Sequence, residues 1–230
     1  MIPPERISIV IPAYEEADRI GRTLNGLSHL DGIQEAEIIV VDGHPERTTI
    51  RALSGHAATG IAGPRGRGAQ MHAGALSSRG SVLLFLHADT RLETDALVWV
   101  KAFLQDSTVA GGAFDLGIDA PEAAFRIIEA GASLRSRLTR IPYGDQALFM
   151  RKAVYFEMGG FRPIPLMEDV DLMRRLKKSG LKICLVPRRA WTSPRRWKKE
   201  GLLYCTLRNY ALILSYYLGV SPERLSRYYR

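Results

Sequence analysis

The chain has 230 residues, 46% of them hydrophobic and 24% charged, with two cysteines and a net charge of +8. That composition excludes a disordered chain, a disulfide-stapled miniprotein and a low-complexity array, and the length allows one sizeable core. Ten basic residues against two acidic ones lie from Pro187 onward, so the whole excess sits in the tail; this implies an anionic partner (a phosphate leaving group, an anionic membrane surface or nucleic acid), or else only a solvated basic face.

No signal peptide is visible before the first strand, and Cys184 and Cys205 lie far apart without metal-type spacing. They read as thiols in a reducing compartment, so a cytoplasmic location is expected, with the inner face of a membrane as the alternative. Residues 7–11 are a β-branched strand closed by Pro12. Ala17, Ile20, Leu24 and Leu27 then line one helix face. A second strand is expected over 37–41, a short polar helix over 46–53, a weaker strand over 57–62, and a Gly-rich turn entering a helix over 66–75. The apolar run 82–86 reads as a buried strand, and 95–104 as a helix. This alternation predicts a doubly wound, mostly parallel sheet.

After Gly111 the pattern is mixed: a strand over 109–118, a helix over 123–138, a short strand over 147–150, a short helix over 154–158, a helix over 168–178 ended by Gly180, and a strand over 182–186. No linker interrupts the chain, so one domain over 1–230 is expected, divided into 1–110, 111–196 and a basic helical tail over 197–230. A single long helix is predicted over 198–218. Its Leu203, Leu207, Tyr210, Leu214 and Tyr217 form a heptad-like stripe. It is a poor membrane span, and docking on the core is favoured over pairing with another subunit or lying on a membrane.

Four carboxylate-bearing segments follow strands or sit in turns: Pro12-Ala13-Tyr14-Glu15-Glu16, Val41-Asp42-Gly43, His87-Ala88-Asp89 and Met167-Glu168-Asp169. Three follow strands of the first half, whose ends share the edge where open α/β sheets bind ligands. Tyr14 can stack on a flat base and Asp42 can accept hydrogen bonds from a base or ribose. His87 and Asp89, two apart on extended chain, face one spot. Imidazole and carboxylate there suit a divalent cation carrying a diphosphate; helix capping by Asp89 is the alternative.

The Gly66-Arg67-Gly68 turn is neither a P-loop nor a dinucleotide fingerprint. It permits close backbone approach, and Arg67 brings charge to a phosphate or base. Asp169, Leu172, Met173 and Leu176 put Asp169 on its helix's apolar face, either as a cap or as a partly desolvated general base. Asp171 and Arg175 read as a surface pair. Tyr143-Gly144-Asp145-Gln146 offers an acid and an amide to sugar hydroxyls, or only a turn. Arg195-Arg196-Trp197 sets two guanidinium groups beside an indole, suited to a departing diphosphate or simply solvated.

Together these segments, with Gly159-Gly160-Phe161 and Glu168-Asp169-Val170-Asp171-Leu172, resemble family 2 glycosyltransferases of the GT-A fold. The resemblance implies an α/β, Rossmann-like, mostly parallel doubly wound sheet with a mixed acceptor-side half and C-terminal helices. It implies inverting transfer from a UDP- or GDP-type nucleotide sugar to an acceptor hydroxyl, with Mn²⁺ or Mg²⁺. Residues 1–110 then form the nucleotide-sugar half and 111–196 the acceptor and catalytic half. Pro12, Ala13, Tyr14, Glu16, Asp42, Arg67, Gly68 and Ala88 take nucleotide-binding roles. Asp89 holds the last position of the Asp-x-Asp metal motif, with His87 at its first. Asp169 takes the catalytic-base position, flanked by Glu168 and joined by Arg196. Tyr143, Asp145, Gln146 and Trp197 fall to the acceptor or sugar.

Ser193 replaces the glutamine of the family's Gln-x-x-Arg-Trp motif, which argues against a processive synthase. His87 in place of aspartate tilts the metal preference towards Mn²⁺. More narrowly, His-Ala-Asp-Thr, Tyr-Gly-Asp-Gln and the Gly219 to Leu225 segment resemble small members associated with arsenosugar biosynthesis, implying a small or unusual acceptor. A sugar nucleotidyltransferase would carry a Gly-rich basic loop after its first strand, and here that loop is acidic. A non-catalytic nucleic-acid module would carry a groove-reading motif, and none is evident, so nucleic acid is not the expected partner. An oligomer is left open.

Overall fold

The structure, a computed structural model, describes residues 6–229. The first half is built from β1 (Ile7–Ala13), α1 (Ala17–Leu27), β2 (Glu37–Asp42), α2 (Thr48–Arg51), β3 (Thr59–Ala62), α3 (Arg67–Ser77) and β4 (Val82–Phe85). The four strands pair in parallel in the order β3-β2-β1-β4. Side-chain alternation along β1 explains the two layers. Ile7, Ile9 and Ile11 join Ile20, Leu24 and Leu27 of α1 in one core. Val10 joins Met71 and Ala75 of α3 in the other. Ile9, Ile11 and Leu84 are sealed from solvent, and burial of each such side chain contributes about 1.5–3 kcal/mol.

The second half extends the same sheet. It comprises β5 (Arg91–Leu92), α4 (Ala96–Leu104), β6 (Val109–Ile118), α5 (Ala123–Thr139), β7 (Phe149–Arg151), α6 (Lys152–Glu157), α7 (Glu168–Lys178) and β8 (Lys182–Thr192). β7 pairs antiparallel with both β4 and β6, β8 runs parallel to β6, and β5 closes the far edge antiparallel to β8. The eight-stranded mixed sheet is the predicted α/β architecture. The tail forms α8 (Arg195–Glu200), α9 (Leu202–Tyr217) and α10 (Pro222–Ser226).

Four expectations need correction. The strand expected over 182–186 continues to Thr192, because the register with β6 jumps from Phe114↔Val186 to Asp115↔Arg189. Pro187, which has no N–H to donate, falls in that bulge. The helix expected over 198–218 breaks at Gly201, whose φ of +90° turns the chain between α8 and α9. The stripe expected to dock on the core faces outward: Leu203, Leu207, Tyr210, Leu214 and Tyr217 are 45–69% exposed, and the helix buries Cys205 and Leu212 instead. Asp171 and Arg175 are no surface pair. Asp171 is buried between Arg162 and Arg175, and Arg175 also donates to the carbonyls of Met158 and Gly160, tying α7 to the preceding loop.

Candidate active site

Parallel pairing brings the ends of β1, β2 and β4 to one edge, with Ala13 opposite Asp42. Tyr14 emerges there, its ring edge-on to His44 at 5.3 Å and under the Arg65 guanidinium at 5.2 Å. Glu15 follows in the left-handed region, with φ of 57°, a conformation that costs a non-glycine residue energy and gathers at functional loops. Glu16 faces Arg19 and Arg195. Asp42 is buried, and its oxygens accept the backbone N–H groups of His44, Thr49 and Ile50 at 2.8–3.1 Å. The carboxylate expected to meet a base or ribose also clamps the turn into α2. Pro12 and Ala13 are buried. Gln70 donates to the carbonyls of Ala13 (2.5 Å) and Val41 (3.1 Å), stitching the two strand ends together. Ala88 is buried as well, its carbonyl accepting the Thr23 hydroxyl of α1.

The start of α7 forms the facing wall. Met167 adopts a left-handed turn (φ 66°) that aims Glu168 and Asp169 into the helix N-terminus, where the dipole favours negative charge. Glu168 is buried in an ion pair with Arg67. Burial works against the charge on Arg67, but Glu168 and Asp169 outweigh it and hold the guanidinium protonated. A β-carbon on Gly68 would sit 3.0 Å from Glu168, so the glycine lets α3 and α7 meet end to end. Arg67 and Gly68 therefore brace the acidic pair directly.

Asp169 is 8% exposed. Its Oδ2 accepts the Gly144 N–H at 2.6 Å and its Oδ1 the Val170 N–H at 2.8 Å. A β-carbon on Gly144 would lie 3.0 Å from that Oδ2 and 3.2 Å from His87 Nε2. The glycine there gives the loop after β4, the 144–146 turn and α7 room to converge. His87 Nε2 is buried without a partner. Burial, then the nearby positive charge of Arg67, pushes the imidazole down to about 3, so the ring is neutral. Asp145 lines the same cleft with Oδ1 sealed and unpaired, and burial pushes its carboxyl above the ordinary range against the pull of Arg135.

Gln146 does not face the cleft. Its Oε1 accepts from Ser136, Arg135 and the Tyr143 N–H, and its Nε2 donates to the Phe114 carbonyl. It shapes the turn that carries Gly144 rather than meeting a sugar. Tyr143 lines the cleft with Arg135 stacked 3.3 Å above its ring.

The cleft encloses about 600 Å³, and Arg67, His87, Asp89, Asp145 and Asp169 share it with the tail. Arg195 reaches Asp89 at 3.4 Å and Glu16 at 3.7 Å, linking the nucleotide edge to the cleft. Arg196 stacks on Tyr229 at 4.3 Å. Trp197 lines the cleft while packing edge-on against Phe125. Among the described residues no three His, Cys, Asp or Glu side chains gather as a metal site. Asp89, a hard oxygen donor, and the neutral His87, with its orphaned nitrogen, fit a cation whose shell is completed by substrate oxygens.

Gln70, Arg135, Gly144, Arg195 and Tyr229 shape this site without having been singled out for these roles from the sequence. Gln70, Gly144 and Arg195 lay inside motifs (Gln70 in the helix that the Gly66-Arg67-Gly68 turn opens), and Arg135 and Tyr229 did not. Tyr229 enters the cleft because α10 folds the chain end back, and no local pattern announces that.

The sequence profile described as "Glycosyl transferase family 2" matches residues 8–165. No curated protein matches the chain. Among solved structures, the mannosyltransferase PcManGT from Pyrobaculum calidifontis, in complex with GDP-Man and Mn²⁺, is 19% identical with a TM-score of 0.67, over 83% of this chain and 57% of that one. TarS 1-349 of S. aureus is 16% identical with a TM-score of 0.64, over 82% and 61%. Its complex with UDP-GlcNAc aligns with a TM-score of 0.61 at 16% identity, over 82% and 58%. The chain thus spans about three fifths of the length of these structures.

Proposed function

The chain belongs to glycosyl transferase family 2, and on that premise we propose that it transfers a sugar, with inversion, from a nucleotide-diphosphate donor to an acceptor hydroxyl. The observation that carries this reading is Asp169: a carboxylate oriented by the Gly144 N–H, on the wall of a cleft it shares with Asp89 and four arginines, Arg19, Arg67, Arg195 and Arg196. Asp169 accepts the proton of the acceptor hydroxyl as that oxygen attacks the anomeric carbon from the face opposite the leaving group. Arg195 and Arg196 balance the charge that gathers on the departing diphosphate. Tyr14, at the end of β1, stacks on the base. Asp145, Tyr143 and Trp197 flank the acceptor.

A divalent cation held by Asp89 and His87 would neutralise the diphosphate. The neighbours crystallised with GDP-Man and UDP-GlcNAc support a donor of this class. The narrower resemblance leads us to a small acceptor rather than a growing polymer.

Asp169→Asn retains an oxygen to accept the Gly144 N–H but loses the base. Transfer from the cognate donor should fall about 10³-fold while donor affinity, measured calorimetrically, stays within about twofold. Near-normal turnover would remove the base assignment. Asp89→Ala should abolish the Mn²⁺-dependent part of nucleotide-diphosphate binding. Identical binding with and without EDTA would remove the metal role.

A further inference from the structure

We propose that α5 and α9 together form a docking surface for an anionic lipid membrane. The outward face of α9 carries Leu203, Tyr204, Leu207, Tyr210, Leu214 and Tyr217, with no charged side chain among them. Beside it, α5 exposes Ile127, Leu134 and Leu138 at 58–76%. The two helices are neighbours: Ile128 and Ala132 of α5 and Leu202 of α9 pack against one buried cluster of Leu116, Ile118 and Phe125, and the Tyr210 hydroxyl lies 3.9 Å from where a β-carbon on Gly131 would sit. A continuous apolar surface on two adjacent helices is not the scattered exposure of ordinary surfaces and marks an interaction site.

The border of the patch selects the occupant. Exposed Lys198 and Lys199 sit on α8, directly before α9, and Lys198 reaches Glu122 at the start of α5. Arg174 lies over Tyr217 at 4.9 Å. Leucines flanked by tyrosines and cations match the acyl boundary, the interface and the anionic headgroups of a lipid surface. A second copy of this chain seated on the same face would bring the basic tail against itself, a like-charge contact that costs binding. No helix among the described residues is long and apolar enough to cross a membrane, so α9 lies on the surface rather than through it.

The test needs no donor, so it stands or falls separately from the transfer reaction. Vesicles of phosphatidylcholine containing one third phosphatidylglycerol should pellet the protein at least about tenfold better than phosphatidylcholine alone, with the advantage lost at high salt. Leu207→Glu/Leu214→Glu should weaken pelleting at least about tenfold with an unchanged melting temperature, since both side chains are exposed. Ile127→Glu/Leu134→Glu on α5 should do the same, and guards against misfolding of the first variant. Equal pelleting of wild type and both variants, or equal pelleting by the two vesicle types, overturns the proposal. A dimer in sedimentation velocity that Leu207→Glu dissociates, with no pelleting by either vesicle, would assign the face to a second copy instead.

Discussion

The two sides of the site hold their carboxylates in opposite ways. On the β1–β2 edge the central polar groups are bonded: Asp42 takes three backbone donors, and Gln70 ties two strand ends together. Across the cleft, His87 Nε2 and Asp145 Oδ1 are buried with nothing to bond. Buried polar atoms left unsatisfied cost about 1–3 kcal/mol each, so a fold keeps them where a ligand completes them. One side is a finished frame, and the other is left incomplete for chemistry.

That contrast can be broken by substitution. The largest effect is the pairing of Asp169→Asn with Asp42→Ala. The first costs turnover and little stability, as set out above. The second orphans three N–H groups and should cost about 2–4 kcal/mol in urea unfolding. If Asp42→Ala instead left stability untouched and removed donor binding alone, the frame role would fail and only the base or ribose contact would stand.

Next is Gly144→Ala. Its new methyl group would press on Asp169 Oδ2 and His87 Nε2 together, so turnover should drop about 10- to 100-fold through misplacement of the base. Donor affinity should move far less. Steady-state kinetics with direct donor titration separates the two.

The smallest effect concerns Asp145. Its carboxyl is raised by burial, so ionising it in the folded state opposes folding. The wild-type protein holds this stability below the unfolded carboxylate pKa and loses it as pH rises through the folded one. Asp145→Asn does not titrate. Its melting temperature should match wild type in acid and exceed it by a margin that grows towards neutral pH. A margin that shrinks as pH rises would place Asp145 in a stabilising ion pair instead.

Much of this was legible in the sequence. The alternation of β-branched runs with 3.6-period stripes predicted the parallel half, and the carboxylates after strands one, two and four marked the shared edge. Asp169 on the stripe of Leu172, Met173 and Leu176 announced a buried acid. Gln146 sits in a turn that reads as exposed, and its burial depends on Ser136 and Phe114, ten and thirty-two residues away. The backbone bonds of Asp42 come from the turn that follows it, and no apolar periodicity marks them.

The sequence alone determined which residues share a strand face or a helix face, since periodicity is a local property of the chain. It therefore pointed to the α/β sheet, the family resemblance and the candidate acids. Only the tertiary structure decided which of those faces found a neighbour. The Leu and Tyr stripe of α9 has the same period whether it meets a core or points away, and here it points away because Gly201 turns the helix so that Cys205 and Leu212 face inward. Whether a polar atom is bonded or left open depends in the same way on partners distant in the chain, which no local pattern encodes.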